Sequence, residues 1–273
     1  MELKGICIDT KTINEMTCIL NERLTQIERD AYIAAGKSFQ INSTVQLRTI
    51  LYDELKLDIK HNISIKETFK LGVKSTSEPV LRKLIPLHPL PALVLNYRHI
   101  HKAKSTFVDA ILKQSKSGVI RTTWDQTSAA TGRIVSCNPN LQAVPRQPLV
   151  LELFPDENKV GDPPSIVIRK AFIPRPGHTF VAADFQHIEC RVFAHMSNDP
   201  VLTESLKYDK DLFSSLAMKW LNKNSIEEVQ PDERDKTKHL VYALMYGAGP
   251  HKLMEILHLG FNQTTEVISK FFG

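Results

Sequence analysis

The sequence has no long apolar run: no stretch of its 273 residues approaches the roughly 18 consecutive apolar residues that a transmembrane helix needs. This absence predicts a soluble protein with no membrane partner. Residues 1–11 show no basic start, apolar core and small-residue cleavage site, so we expect no secretory signal.

Cysteines are few and scattered. The four thiols form no C-x-x-C pair and have no histidines at zinc-ligand spacing. The sequence therefore lacks the common zinc and dithiol motifs, and a reducing intracellular compartment fits it best. Internal repeats and low-complexity tracts are absent as well.

The composition is that of a globular protein. Hydrophobic residues make up 42% and charged residues 24% of the chain, both within the ordinary range. The length exceeds that of a usual single core, so we expect a multi-lobed protein with a sizeable interior.

Positive charge is concentrated in one segment. Residues 98–146 hold eight basic and two acidic side chains, a net +6, whereas the whole chain carries +5, so the remainder nets −1. Such a run is typical of a surface that contacts a phosphate backbone. Solvated lysines on ordinary helices give the same pattern, so the charge alone leaves both interpretations open.

Helical periodicity dominates the N-terminal part. Apolar residues recur at three- and four-residue steps from Ile13, and the pattern within 13–57 is mostly helical. Residues 92–112 are predicted to form one long helix, and 119–124 are strand-like. The proline-rich, acidic stretch 146–165 is predicted to be an exposed loop.

The C-terminal part begins with a short apolar run, 180–183, which we predict to be a buried strand ending at Asp184. A helical pattern follows it. The clearest helix, 233–246, is stopped by Gly247 and Pro250, and one more helix is expected before the end.

The first candidate site is the segment 181–191, around Asp184. A carboxylate at the end of a buried strand can hold Mg²⁺ near a substrate phosphate, because this ion prefers oxygen ligands. The alternative is an aspartate that only caps the following helix.

The second candidate site is a helix face. Arg234, Lys238, Tyr242 and Tyr246 follow one another at four-residue steps, so they share one side of a helix. Two cations suit a triphosphate, and the aromatic rings suit a sugar and a base. An amphipathic helix with a solvated basic stripe would give the same spacing.

The third candidate site runs from 127 to 146. A glycine turn presents Thr131 and Arg133, and Asn140 and Gln142 follow. These side chains supply donors for the acceptors that every base pair shows in the minor groove. The alternative is a polar turn that closes a hairpin.

Together, and in this order, the three segments resemble the family A DNA polymerases, the group of bacterial DNA polymerase I. Asp184 with Glu189 and Arg191 resembles motif A, and the helix from Arg234 to Tyr246 resembles motif B. Thr131-Gly132-Arg133 with Pro139-Asn140-Leu141-Gln142 is similar to the minor-groove segment of the family. Upstream, 96–107 is similar to the thumb-to-palm helix and 75–78 to a short thumb motif.

The resemblance implies an α+β fold, an incomplete right hand. It implies a helical thumb at 1–114, a partial antiparallel palm sheet at 115–188 with a loop insert at 147–168, and incomplete helical fingers at 189–273. The implied activity is DNA-directed DNA synthesis from dNTPs on a primer-template, in DNA repair or translesion synthesis and in the nucleus. Protein partners are not indicated.

The resemblance also implies roles for single residues. Asp184, helped by the Phe185 carbonyl, would bind two Mg²⁺ ions, and Arg234 and Lys238 would hold the β and γ phosphates. Lys238 could also donate a proton to the pyrophosphate. The other dNTP contacts would be Tyr242 on the sugar, Tyr246 near the templating base, Glu189 at the 2′ position of the sugar, and His187, whose role the pattern leaves open.

The implied DNA contacts lie upstream. Arg98, Lys102 and Lys104 would contact backbone phosphates, whereas Arg133 and Gln142, with Thr131 and Asn140, would lie along the minor groove.

Several features depart from the bacterial pattern. Phe185, Gln186 and His187 replace the usual Tyr-Ser-Gln of motif A. Tyr242, the Tyr-Gly-Ala-Gly sequence and the insert resemble the eukaryotic nu and theta polymerases.

Motif C, a His-Asp-Glu turn with a second metal-binding aspartate, does not occur in the sequence, and no Asp-x-Glu of a proofreading nuclease follows Gly5. We therefore expect a truncated portion of the enzyme that binds DNA weakly and does not extend a primer. The alternative is a non-catalytic DNA-binding fragment or splice form.

Overall fold

A computed structural model of the chain describes residues 2–60, 62–65, 72–154, 161–207, 211–257 and 260–272. The chain forms two compact units, residues 1–180 and 181–273. The predicted boundary at residue 114 lies inside the first unit. Part of the predicted insert, 155–160, lies outside the described residues.

The described residues of the first unit form six α-helices: α1 Thr10–Ala35, α2 Thr44–Arg48, α3 Leu57–Lys60, α4 Glu78–Leu84, α5 Pro89–Ala103 and α6 Asp109–Gln114. Two π-helical segments, Thr49–Glu54 and Lys104–Val108, follow α2 and α5. Short 3₁₀ helices lie at Ile85–Leu87, Leu141–Ala143 and Ile168–Ala171.

The start and the end of helix α1 are set by residues next to them in the sequence. The Asp9 carboxylate accepts from the backbone N–H of Lys11 (3.0 Å) and Thr12 (3.3 Å), which caps the first turn. The helix ends at Gly36, whose φ of 71° favours glycine. Its buried face packs against α5, and it consists of Ile13, Met16, Leu20, Ile27 and Ala31.

The same described part of the first unit also holds seven short strands: β1 Ile6–Ile8, β2 Val119–Ile120, β3 Thr123–Asp125, β4 Val135–Cys137, β5 Leu149–Val150, β6 Ser165–Ile166 and β7 Phe172–Ile173. All pairings are antiparallel, with β1 between β2 and β7 in one sheet, and with β3–β4 and β5–β6 as separate pairs. The predicted α+β class is confirmed.

Just before strand β1, the backbone at Gly5 lies very close to the backbone of strand β2. A Cβ on Gly5 would lie 2.5 Å from the carbonyl oxygen of Ile120, and the φ of Gly5 is 65°, so only glycine fits before this strand. Residues 6–8, predicted as part of a helical thumb, are thus paired with strands of the predicted palm.

The predicted exposed loop at 146–165 is partly wrong. Its described ends form the β5–β6 pair, and Leu149 and Leu151 are buried in the core. The continuous apolar run at the start of this segment, Leu149-Val150-Leu151, was the available signal, but the prolines obscured it.

The second unit is helical: α7 Ile188–Ser197, α8 Pro200–Ser205, α9 Leu212–Trp220, a 3₁₀ turn Ile226–Glu228, α10 Pro231–Met245, α11 Pro250–Leu257 and α12 Phe261–Phe272. Its main cluster consists of Cys190, Ala194, Leu206, Leu212, Phe213 and Val241. In the part that the structure describes after Gly247, two helices occur where the sequence predicted one. Among the described residues, no helix is both long and apolar enough to cross a membrane.

Helix α10 ends before Gly247 as predicted, and it begins two residues before the predicted start at Glu233. Pro231 occupies the first turn, and the Glu233 carboxylate accepts from the Gln230 N–H at 2.8 Å. At the other end Gly247 has a φ of 73°, and its N–H donates to the Leu244 carbonyl at 2.9 Å.

Candidate functional site

The segment that carries Asp184 is not a strand. Residues 178–185 have no regular secondary structure, and Val181 and Phe185 are 88% and 78% exposed. The predicted buried strand is therefore wrong for this structure. A strand requires a hydrogen-bonded neighbour, and no described residue pairs with this segment. The Asp184 side chain is exposed at its end.

His187 lies where this segment enters α7, with a φ of 51°. Its ring meets the edge of Phe213 at 4.7 Å between centroids, and Nε2 lies 4.0 Å from Oδ1 of Asp211. Nε2 is buried and has no hydrogen-bond partner among the described residues. Burial lowers the pKa of His187, and nearby Arg234 lowers it further against the opposing pull of Asp211. The imidazole is therefore neutral at pH 7.

The predicted helix face exists on α10. Arg234, Lys238 and Tyr242 lie on the helix, and Tyr246 caps its end. Lys238 is exposed, Tyr242 is half-buried, and 67% of Tyr246 is accessible to solvent. The face thus changes from cationic to aromatic along its length.

Asp211 is a site residue that the sequence analysis missed. Its carboxylate accepts two hydrogen bonds from Arg234, at 2.9 Å from Nε and 2.7 Å from Nη2. The partner arginine and the start of α9 lower the pKa of Asp211 to about 2 despite burial. The available signal was only the pattern Asp-x-x-Ser before a helix, which predicts a cap and not an arginine partner.

Tyr242 closes the inner side of the face. Its ring lies 5.7 Å from that of Phe213. Burial raises the pKa of Tyr242 to about 12, and Cys190 and Glu189 act in the same direction. Cys190 lies beneath it, with Sγ 3.8 Å from Sδ of Met245, and burial raises the pKa of this thiol. Both groups are therefore protonated at neutral pH.

Glu189 and Tyr246 meet at the other end of the face. The Tyr246 hydroxyl donates to Oε1 of Glu189 at 2.6 Å. The first turn of α7 and the end of α10 are thereby joined through the two side chains. All six predicted dNTP-site residues lie within the second unit: His187, Glu189, Arg234, Lys238, Tyr242 and Tyr246.

In the first unit, Arg98 is turned inward. Its Nη1 donates to the carbonyl oxygen of Thr76 at 2.7 Å, Nη2 is buried without a partner among the described residues, and burial lowers the pKa of the side chain. The predicted thumb motif at 75–78 thus contacts the predicted thumb-to-palm helix. The phosphate contact assigned to Arg98 stays a prediction.

Lys102 is exposed on α5, but Lys104 is not. Lys104 Nζ donates to both carboxylate oxygens of Asp109 at 2.8 and 2.9 Å. The π-helical turn at Lys104–Val108 explains the pair, because residues five apart are hydrogen-bonded neighbours in such a turn. The charge of Lys104 is already neutralised within the protein.

The third candidate site closes the β3–β4 hairpin. Thr131 and Arg133 are exposed in the turn, around Gly132 with a φ of 75°. Gln142 folds back, accepting from Ser136 N–H at 2.9 Å and donating to the Ile134 carbonyl at 3.1 Å. Asn140 accepts from the Ala143 N–H at 3.1 Å. These two amides organise the loop, and their minor-groove roles stay predictions.

The oxygen donors around Asp184 suit Mg²⁺ in part. Its exposed carboxylate and the Phe185 carbonyl are hard ligands, and Mg²⁺ is commonly held by one or two carboxylates with substrate phosphates and water. No cluster of three or more candidate metal ligands occurs within the described part of the chain. Asp184 and Phe185 therefore fit the ion as a partial set of ligands.

Comparison with known proteins decides the family. The model of DNA polymerase family A matches residues 10–273. The chain belongs to DNA polymerase family A. It is 31% identical to the thermostable DNA polymerase I of Thermus filiformis and 34% identical to DNA polymerase I of Geobacillus stearothermophilus, in each case over the whole of this chain.

This family A chain spans about 30% of the length of those relatives. Among solved structures, it is similar to the POL domain of Pol1 from M. smegmatis, which is in complex with a DNA primer-template and dNTP. The TM-score is 0.72 at 29% identity, and the match covers 98% of this chain and 44% of the other. The polymerase-domain fold is confirmed.

Proposed function

We propose that this family A chain supplies the nucleotide-binding and part of the DNA-binding surface of a DNA-directed DNA polymerase. The observation that carries the proposal is the single face of α10. Two cations, Arg234 and Lys238, precede two tyrosines, and Tyr246 is tied to Glu189. A dNTP presents complementary groups in the same order: its triphosphate would meet the two cations, and its sugar and base would meet the two tyrosines.

The proposed reaction is attack of a primer 3′ hydroxyl on the α-phosphate of a dNTP, with release of pyrophosphate. Asp184 and the Phe185 carbonyl would hold Mg²⁺, and Mg²⁺ bound there would stabilise the charge on the entering and leaving oxygens. Arg234 and Lys238 bind the β and γ phosphates. Lys238, exposed at mid-helix, is the proton donor to pyrophosphate.

The remaining contacts orient the nucleotide and the duplex. Tyr242 packs on the sugar, Glu189 occupies the space that a 2′ hydroxyl needs, and Tyr246 stacks near the templating base. The turn with Thr131 and Arg133 lies along the minor groove, and Lys102 contacts a backbone phosphate.

The finer assignment is to the nu and theta type, with a nuclear role in DNA repair or translesion synthesis. Its support is in the sequence: Tyr242 within motif B, the Tyr-Gly-Ala-Gly after it, and the insert before Arg169. His187 in place of the common glutamine also distinguishes the chain from the usual motif A.

A second candidate function is non-catalytic DNA binding. The sequence contains no His-Asp-Glu triplet, and the described residues group no three metal ligands. A two-metal displacement needs more than one carboxylate to hold its ions about 4 Å apart. This proposal differs from the first in predicting DNA binding without turnover.

Primer extension tests the choice. The longest polypeptide that the gene encodes is assayed with primer-template, Mg²⁺ and four dNTPs, beside Asp184→Ala and an exposed carboxylate control, Asp162→Ala. We expect extension by the parent and the control, and none by Asp184→Ala, with DNA affinity nearly unchanged because the carboxylate acts mainly in the transition state. Near-normal extension by Asp184→Ala would overturn the motif A assignment, and a parent that binds DNA without extension supports the second function.

A further inference from the structure

The Asp211 carboxylate is held in place by the start of α9. Its Oδ2 accepts from the backbone N–H of Ser214 at 2.8 Å, and its side chain is 31% exposed. A helix-capping carboxylate has its position set by the backbone rather than by a free rotamer. Asp211 therefore offers a rigid acceptor to any cation that reaches it.

The Arg234 guanidinium is restrained in two directions by this part of the chain. In its plane, Nε and Nη2 donate to the two oxygens of Asp211 at 2.9 and 2.7 Å. Across its plane, Cζ lies 5.7 Å from the ring centroid of Phe213, which is fully buried. A bidentate pair and a ring contact together define the orientation of the fork.

The pair with Asp211 leaves donors on Arg234. An arginine has five N–H groups, and the bidentate contact uses one on Nε and one on Nη2. Nη1 reaches Asp235 at 3.3 Å, but that carboxylate is 67% exposed, and such contacts are weak. A phosphate can therefore replace Asp235 at Nη1 while Arg234 keeps its two hydrogen bonds to Asp211. Lys238, one turn later, is exposed on the same face.

We infer that Asp211 is a positioning residue, which holds the Arg234 guanidinium in the orientation in which its remaining N–H groups meet the triphosphate of a nucleotide. The inference rests on the proposed function. The Arg234 side chain loses its conformational entropy when the protein folds, so ordering this side chain does not weaken the binding of the nucleotide. The negative charge of Asp211 opposes this benefit, but Arg234 neutralises it within the pair.

The opposite arrangement would be a clamp, in which Asp211 sequesters Arg234 and must release it before a phosphate binds. Removing the carboxylate would then tighten nucleotide binding. The sign of the change therefore separates the two roles.

The test is calorimetric titration of the whole chain with inorganic triphosphate and with Mg²⁺·dATP. Asp211→Asn removes the charge but keeps a good helix cap. Asp199→Asn is the matched control, because Asp199 caps α8 by accepting from Leu202 N–H at 2.6 Å and has no ion pair with a described residue. Asp211→Ser, also a capping residue, is the second variant.

We expect Asp211→Asn and Asp211→Ser to weaken the binding of both probes by roughly tenfold, as for coupled neighbouring groups, and Asp199→Asn to leave it unchanged. In an Arg234→Ala background, Asp211→Asn should cause no further loss, because it acts only through Arg234. The melting temperature of each variant is also measured, to show whether the substitution destabilises the fold. A merely structural role of Asp211 would lower stability, but it would not make the loss of binding depend on Arg234.

The outcomes separate the inference from the proposed function. A parent chain that binds neither probe overturns both. If Arg234→Ala weakens binding while Asp211→Asn leaves it unchanged or tightens it, the proposed function stands and the positioning role is wrong. An equal loss from Asp199→Asn, or a full further loss in the Arg234→Ala background, also overturns the positioning role.

Discussion

The Tyr246 hydroxyl donates a 2.6 Å hydrogen bond to Oε1 of Glu189, across 57 residues of sequence. The bond joins the end of α10 to the first turn of α7 and fixes the carboxylate beside the aromatic part of the proposed nucleotide site. In the proposed function, a carboxylate held in this way would exclude a ribonucleotide by occupying the space of its 2′ hydroxyl.

We therefore predict that Glu189→Ala raises ribonucleotide incorporation relative to dNTP by roughly tenfold or more, the scale of discrimination that a filled or emptied pocket gives. Tyr246→Phe keeps the ring but removes the tether, so a smaller rise is expected. The measurement is the ratio of kcat/KM for ATP and dATP, made on the longest polypeptide that the gene encodes. Glu204→Ala on α8 is the control, and a ratio that stays constant in Glu189→Ala would show that Glu189 is only a helix residue.

The second prediction concerns pH. The folded pKa of Asp211 is about 2, below the ordinary aspartate value of 3.8, so its pair with Arg234 stabilises the fold fully above pH 4 and loses this contribution as pH falls through about 2. Asp211→Asn should lower the free energy of unfolding by at most about 2 kcal/mol at pH 6, less after solvent screening. The difference from the parent should shrink between pH 4 and pH 2.

Urea unfolding from pH 6 to pH 2.5 measures this difference. Arg234→Met breaks the same pair from the other side and should show the same dependence on pH. A difference between Asp211→Asn and the parent that is constant over the whole range would contradict the low pKa.

The third prediction separates a structural arginine from a DNA-contacting lysine on α5. Arg98→Met leaves the buried Thr76 carbonyl without its 2.7 Å donor, so it should destabilise the first unit by about 1–3 kcal/mol. Lys102→Met, at an exposed position, should change stability by no more than about 0.5 kcal/mol.

DNA binding should show the reverse order. Lys102→Met is expected to reduce the slope of log affinity against log salt by about 1 on a primer-template duplex. Fluorescence anisotropy over a salt series measures the slope, and thermal unfolding measures stability. If Arg98→Met is fully stable yet lowers the salt slope, Arg98 contacts DNA and its inward contact is incidental.

Helices and turns were the part of the fold that local pattern predicted well. The apolar steps from Ile13 onward and Gly247 after the end of α10 act within one or two turns of chain. The candidate site was predictable where it depends on the same spacing, as for Arg234 and Lys238 on one helix face. The strand before Asp184 was predicted wrongly, because pairing depends on a neighbour that residues 180–183 do not specify.

The sequence by itself determined the family, the helix carrying the cations and tyrosines, and the hairpin turn at Gly132, because each is set by residues close together in the chain. Only the tertiary structure decided which polar and charged side chains are paired within the protein and which remain available to a ligand. Asp211 reaches Arg234 across 23 residues, Tyr246 reaches Glu189 across 57, and Arg98 reaches Thr76 across 22. Such pairs form only where packing brings together two segments that are far apart in the sequence. The spacing of residues within one helix or strand does not predict which distant segments will meet.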